Sequence, residues 1–150
     1  MTELVFHKQT PIPCPANELF RWHEAPDAFH KLMPPGEVVK VLHHDGKITN
    51  GARAVLLVGV WPVRFQWELM HQDYIAGRQF CDVQVRGPFD AYRHEHVMIP
   101  VDEHNCLLSD RITFSMPLGW FGAWLGRLIF LPKFERLFAF RHEATKKAFS

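Results

Sequence analysis

In the stretch GPFDAYRHEH, Gly87 to His96, two histidines stand two residues apart, with Arg93 and Glu95 interleaved. Histidine beside a carboxylate can exchange protons near neutral pH, and two imidazoles with a carboxylate can also ligate a zinc-like ion. On a strand, alternate side chains share a face. Tyr92, His94, His96 and Met98 therefore point one way, and Arg93, Glu95 and Val97 the other. The charged set prefers water, which turns the histidines inward. Further along, Ile112, Phe114 and Met116 form an apolar set, and two residues earlier Asp110 falls on the same face. An inward aspartate is costly unless it is partnered.

Residues opposite each other in an antiparallel hairpin have position numbers with a constant sum. A tip at Asp102 to Asn105 places His96 opposite Asp110. A preceding turn centred near Phe89 places His96 opposite Asp82 and His94 opposite Gln84. The expected arrangement is a cross-strand row, Asp82, His96, Asp110, with neighbours roughly 5 Å apart. One pattern opposes it: Cys81, Val83 and Val85 are the more apolar alternation, which would send Asp82 and Gln84 outward.

Three readings of this cluster are open. The leading one is a polar lining or buried hydrogen-bond network in a cavity. The second is a solvated sheet face. The third is catalysis, with His96 and Asp110 as the candidate acid/base pair, or a metal. No HExxH or cysteine pattern strengthens a metal site, so neither metal nor cofactor is expected. His43 and His44 are adjacent on a strand, point to opposite faces, and are expected to flank a turn at the surface. Ser109 and Ser115 lack a GxSxG context, Cys14 lacks an evident base, and no GxGxxG or Walker pattern occurs.

The elements that must position these residues follow from the rest of the 150-residue chain, which is one domain's worth, residues 1–150. Seventeen basic against sixteen acidic residues give no global case for nucleic acid. Three widely spaced cysteines suit a reducing cytoplasm. The N-terminus has no secretory pattern, and the most apolar run, Leu118 to Leu131, is short for a membrane span and broken by Arg127.

Glu3 to Ile12 reads as a strand. After PIPCPA come two short helical stretches, ANELFRWHEA and PDAFHKLM, with Leu19, Phe20, Phe29 and Leu32 inward. Val38 to Met116 reads as an antiparallel meander with turn chemistry at Asp45-Gly46, Asn50-Gly51, Ala76-Gly77, Gly87-Pro88 and Asp102 to Asn105. From Leu118 onward Trp124, Leu125, Leu128, Ile129, Leu131, Phe134, Leu137 and Phe138 recur at helical spacing. Pro132 kinks or divides this helix. A sheet with one face to cover and one long apolar helix to cover it make an α+β two-layer fold. The aromatics Trp61, Phe65, Trp67, Phe80, Tyr92, Phe114, Trp120 and Trp124 supply core or pocket wall, with core the commoner use. LGWFGAWLGRLIF reads as a core-covering segment, with contact to a membrane or partner helix as the lesser reading.

FRWHEAPDAFHKLMPP, RQFCDVQVRGPFDAYRHEH, LLSDRITFSMP and FERLFAFRHE, in that order, resemble the SRPBCC helix-grip superfamily of START-like domains, and within it the polyketide cyclase/dehydrase-like bacterial branch. The resemblance implies a curved sheet of six to seven strands around the C-terminal helix and a cavity for a small hydrophobic or amphipathic ligand, with no metal. The ligand-binding residues expected on that fold are Trp67, Phe80, Asp82, Gln84, Tyr92, His94, His96, Asp110, Phe114 and Trp124. Binding, with transport as an extension, is the leading function expected. A cyclase or dehydrase using His96 and Asp110 is the second. A module that binds a protein partner, an epimerase-like reductase, is the third.

Overall fold

The structure, a computed structural model, describes residues 2–37, 39–60 and 62–150, with the side chain of residue 60 left aside. Seven strands form one antiparallel sheet: β1 Glu3–Ile12, β2 Val39–His44, β3 Arg53–Val60, β4 Val63–Ile75, β5 Gln79–Arg86, β6 Ala91–Pro100 and β7 Cys106–Ser115. Their spatial order is β1-β7-β6-β5-β4-β3-β2. The chain is thus a meander from β2 to β7, closed by the first strand pairing with the last. β1 alternates as expected, burying Leu4 and Phe6.

Two short helices follow β1. α1 spans Ala16–Glu24 and buries Ala16, Leu19, Phe20 and His23; α2 spans Ala28–Lys31. Pro15 precedes α1 as its cap residue. The turn chemistry at Asp45-Gly46 and Asn50-Gly51 serves a single connection between β2 and β3. β3 ends at Val60 and β4 begins at Val63, a break that is not expected from the sequence. Its signal is Gly59: φ is +105°, and a Cβ there would meet the Val63 carbonyl oxygen at 2.4 Å, so only glycine fits.

The C-terminal helix is continuous from Gly119 to Ala148 but not uniform. α3, Gly119–Leu125, passes through a π-type turn, Gly126–Phe130, into α4, Leu131–Ala148, with Pro132 in its first turn. The division expected at Pro132 therefore lies just before it. A π turn advances the side-chain phase by roughly one residue, about 100°. One apolar stripe cannot run unbroken through both halves. α4 buries Phe134, Phe138, His142 and Thr145 against the sheet.

The expectation of a core-covering segment fails along α3 and much of the π-type turn. Trp120 is 81% exposed, and Phe121, Trp124, Leu128 and Ile129 also face outward. The inner face of this segment is made of Gly122, Ala123 and Gly126 instead. A Cβ on Gly122 would stand 1.7 Å from the Pro117 carbonyl oxygen, and one on Gly126 would stand 2.6 Å from Leu4 Cδ1. The helix lies too close to the end of the sheet for anything larger, so its large residues turn out.

Candidate functional site

Between the sheet and α4 lies a cavity of about 240 Å³. Most of its wall is apolar, with Phe29 and Leu32 following α1, Trp67 and Leu69 on β4, and Phe134, Leu137 and Phe138 on α4. A polar cluster lines it at the centre of the sheet, His71 on β4, Asp82 on β5, and His94 and His96 on β6, with Arg141 from α4; Glu24, Glu37, His44, Lys47 and Lys133 also contribute to the lining.

The β6–β7 register is the expected one, with Tyr92 opposite Phe114 and His96 opposite Asp110. The β5–β6 register is two residues away from expectation: Asp82 lies opposite His94, and Phe80 opposite His96. A two-residue slip preserves the face, so Asp82 still points inward despite the apolar alternation of its neighbours. Phe80 stacks on the His96 ring with centroids 4.2 Å apart.

Asp110 is the hub. Its Oδ1 accepts a hydrogen bond from His94 Nε2 at 2.8 Å and lies 2.9 Å from His96 Nδ1, while its Oδ2 pairs with His142 Nε2 at 2.7 Å. Asp82 Oδ2 bonds His96 Nε2 at 3.0 Å and stands 3.9 Å from His94 Nδ1. Asp82 Oδ1 lies 2.6 Å from His71 Nδ1, close enough for an ionic contact but without hydrogen-bond alignment. His142 reaches onward to the Thr10 hydroxyl, 2.7 Å from its Nδ1.

Carboxylates only accept, so His96, with a carboxylate at each ring nitrogen, is held as the imidazolium. Burial alone would lower its pKa, but Asp110 and Asp82 outweigh that and raise it to about 9. His94 is pushed the other way, to about 4, by burial and by the neighbouring His96 charge, against the pull of Asp110. Burial would raise Asp82 and Asp110. The adjacent imidazoles of His71 and His96 at the first, and hydrogen bonds from His142, His94 and His96 at the second, override it and keep both ionised. Burial lowers the Arg141 pKa, opposed by Asp110, Tyr92 and Asp82.

Of the expected ligand-binding residues, Trp67, Phe80, Asp82, Tyr92, His94 and His96 line the cavity. Asp110 sits behind them, 4% exposed, as the support of the histidines. Three expectations are corrected. Gln84 caps the β5–β6 turn, its Nε2 donating to the Phe89 carbonyl at 2.8 Å. Phe114 is packed in the core against Phe89, Phe130 and Phe134. Trp124 is half exposed on the outer face of α3. Trp61 lies outside the described residues. His43 and His44 are exposed, as expected. His43 pairs with Asp45, and His44 accepts the Gly46 N–H while reaching the cavity rim.

His71, His142, Arg141, His23 and Thr10 escape sequence reasoning. Arg141, His142 and Thr145 continue the spacing of Phe134 and Phe138 along one helix face, and that periodicity was the available signal.

No protein-family profile and no curated protein sequence matches the chain. Solved structures do. An aromatase/cyclase, Zhui, from Streptomyces sp. R1128 superposes with a TM-score of 0.74 at 15% identity, covering 98% of this chain and 93% of its own. Norcoclaurine synthase from Thalictrum flavum, solved with dopamine and hydroxybenzaldehyde, gives 0.70 at 15% identity, over 98% and 86%. The chain shares the helix-grip fold of these structures. A helix-grip portion also occurs in a nucleoside-diphosphate sugar epimerase from Corynebacterium glutamicum, with a TM-score of 0.67 at 20% identity, matching 95% of this chain and 28% of the epimerase.

Proposed function

We propose that the protein binds a small hydrophobic or amphipathic molecule in the cavity between the sheet and α4. The observation that carries this reading is the asymmetry of the cavity wall, mostly apolar, with His71, Asp82, His94 and His96 gathered on the sheet and Arg141 on α4. Apolar burial supplies affinity, and the polar cluster orients the oxygen- or nitrogen-bearing end of the molecule. Trp67 adds a buried indole N–H without a hydrogen-bond partner among the described residues. Among the described residues no helix is long and apolar enough to cross a membrane.

Native mass spectrometry of freshly purified protein, with titration of an apolar fluorophore, tests the proposal. One co-purified molecule, or saturable binding of one fluorophore per chain, supports it. Absence of both overturns it.

A second reading, proton transfer on the bound molecule, is favoured by the position of His96 between Asp82 and Asp110 on the cavity wall. His96→Ala separates the two: a binder retains weakened affinity, whereas an enzyme loses turnover. The match to part of the epimerase chain lends some support to the partner-module reading.

A further inference from the structure

The polar wall contains a donor arrangement that ligand binding does not require. One oxygen of Asp82 and one ring nitrogen each of His94 and His96 lie within 4.8 Å of one another. Asp82 Oδ2 is 3.0 Å from His96 Nε2 and 3.9 Å from His94 Nδ1. A dication bound about 2.1 Å from each ligand sets neighbouring ligand atoms roughly 3–3.5 Å apart, so small ring rotations suffice.

The atoms behind these donors are arranged as a metal's outer shell. His94 Nε2 donates to Asp110 Oδ1, and His96 Nδ1 lies 2.9 Å from the same oxygen. Imidazoles that bind metals turn their other nitrogen to a carboxylate in this way, which fixes the tautomer and aims the free lone pair at the ion. Asp110 is itself held by His142, and the second oxygen of Asp82 lies 2.6 Å from His71 Nδ1. Among the described residues, His71 Nε2 is buried without a hydrogen-bond partner beside this group. Asp82 in the wall and the buried Asp110 behind it also supply the charge that a dication neutralises.

We propose that Asp82, His94 and His96 form a site for a first-row divalent cation of the zinc class, with Asp110 and His71 as its outer supports. This departs from the absence of a metal expected from the sequence, which did not bring His71 of β4 beside Asp82. All three ligands line the cavity. The remaining coordination positions therefore face it and take water or an oxygen of the bound molecule, a last step that rests on the ligand-binding reading.

The test titrates the chelator-treated full chain with Co²⁺, read by visible absorption, and then with Zn²⁺ in competition and by calorimetry. One ion per chain is expected. Asp82→Asn and His94→Ala each weaken binding by about 100-fold or more, and His142→Asn, acting through Asp110, by about 10-fold. His104→Ala, in the exposed β6–β7 turn, leaves it unchanged. A measurement on the unmodified chain covers variants that fail to fold: Zn²⁺ must shift the ¹⁵N resonances of His94 Nδ1 and His96 Nε2. No stoichiometric binding, equal binding by Asp82→Asn, or shifts confined to other histidines overturns the site. An apolar fluorophore bound by the metal-free chain distinguishes the two proposals. If it binds and Zn²⁺ does not, the ligand cavity stands and the metal site falls.

Discussion

At the residue scale, the fold invests most in Asp110, one buried carboxylate approached by three imidazoles. Removing one partner of a buried, charged network leaves the others desolvated and unpaired. Asp110→Ala is therefore expected to cost about 3–5 kcal/mol, read as a lower denaturant midpoint; a loss below 1 kcal/mol would show that the network is slack. His23 gives a pH prediction. Its Nδ1 is paired with the Leu19 carbonyl at 3.0 Å, and burial lowers its pKa from 6.5 to about 4. Between those values the unfolded chain holds a proton that the native chain refuses, so stability falls as pH drops from 6.5 to 4. The loss attributable to this group is about 3 kcal/mol. His23→Gln should flatten that part of the stability curve, measured by urea unfolding at pH 7 and pH 4.5 against the parent; parallel curves would refute it. The inward row was legible because strand alternation alone puts His94, His96 and Asp110 on a shared face. The slip that pairs Asp82 with His94 was not, because turn length, not side-chain pattern, sets hairpin register.

At the element scale, the C-terminal helix shows what periodicity can and cannot say. Its helical spacing was real, but spacing does not say which side meets the sheet when a π turn shifts the phase and small residues make the contact. Gly122→Ala forces a methyl group onto the Pro117 carbonyl oxygen and is expected to destabilise by at least about 1–3 kcal/mol. A neutral Gly122→Ala in thermal unfolding would mean that the segment lifts freely from the sheet. The outward ridge gives the opposite expectation. Changing Trp120 and Trp124 together to Ser should leave stability within about 0.5 kcal/mol per site, since neither is buried. A large drop in midpoint would place these rings in the core after all.

At the scale of the whole molecule, the cavity is the feature that sheet and helix make together. Ala28, buried at the start of α2, lines it. Ala28→Phe is expected to fill part of the 240 Å³ and lower ligand affinity at least about 10-fold, while the unliganded chain stays as stable as the parent. Unchanged affinity would put the ligand elsewhere. Composition, strand alternation and turn chemistry determined by themselves that this chain makes a meander sheet with a covering helix, and that an inward histidine pair shares the sheet with Asp110, because these are local properties of the backbone and its side-chain period. Only the tertiary structure decided that His71, His142 and Arg141 join that pair, that Gln84, Phe114 and Trp124 do not line the cavity, and that the helix turns its tryptophans to the outside. Those outcomes depend on hairpin register, on one π turn and on how closely two layers approach, quantities set by residues far apart in the chain.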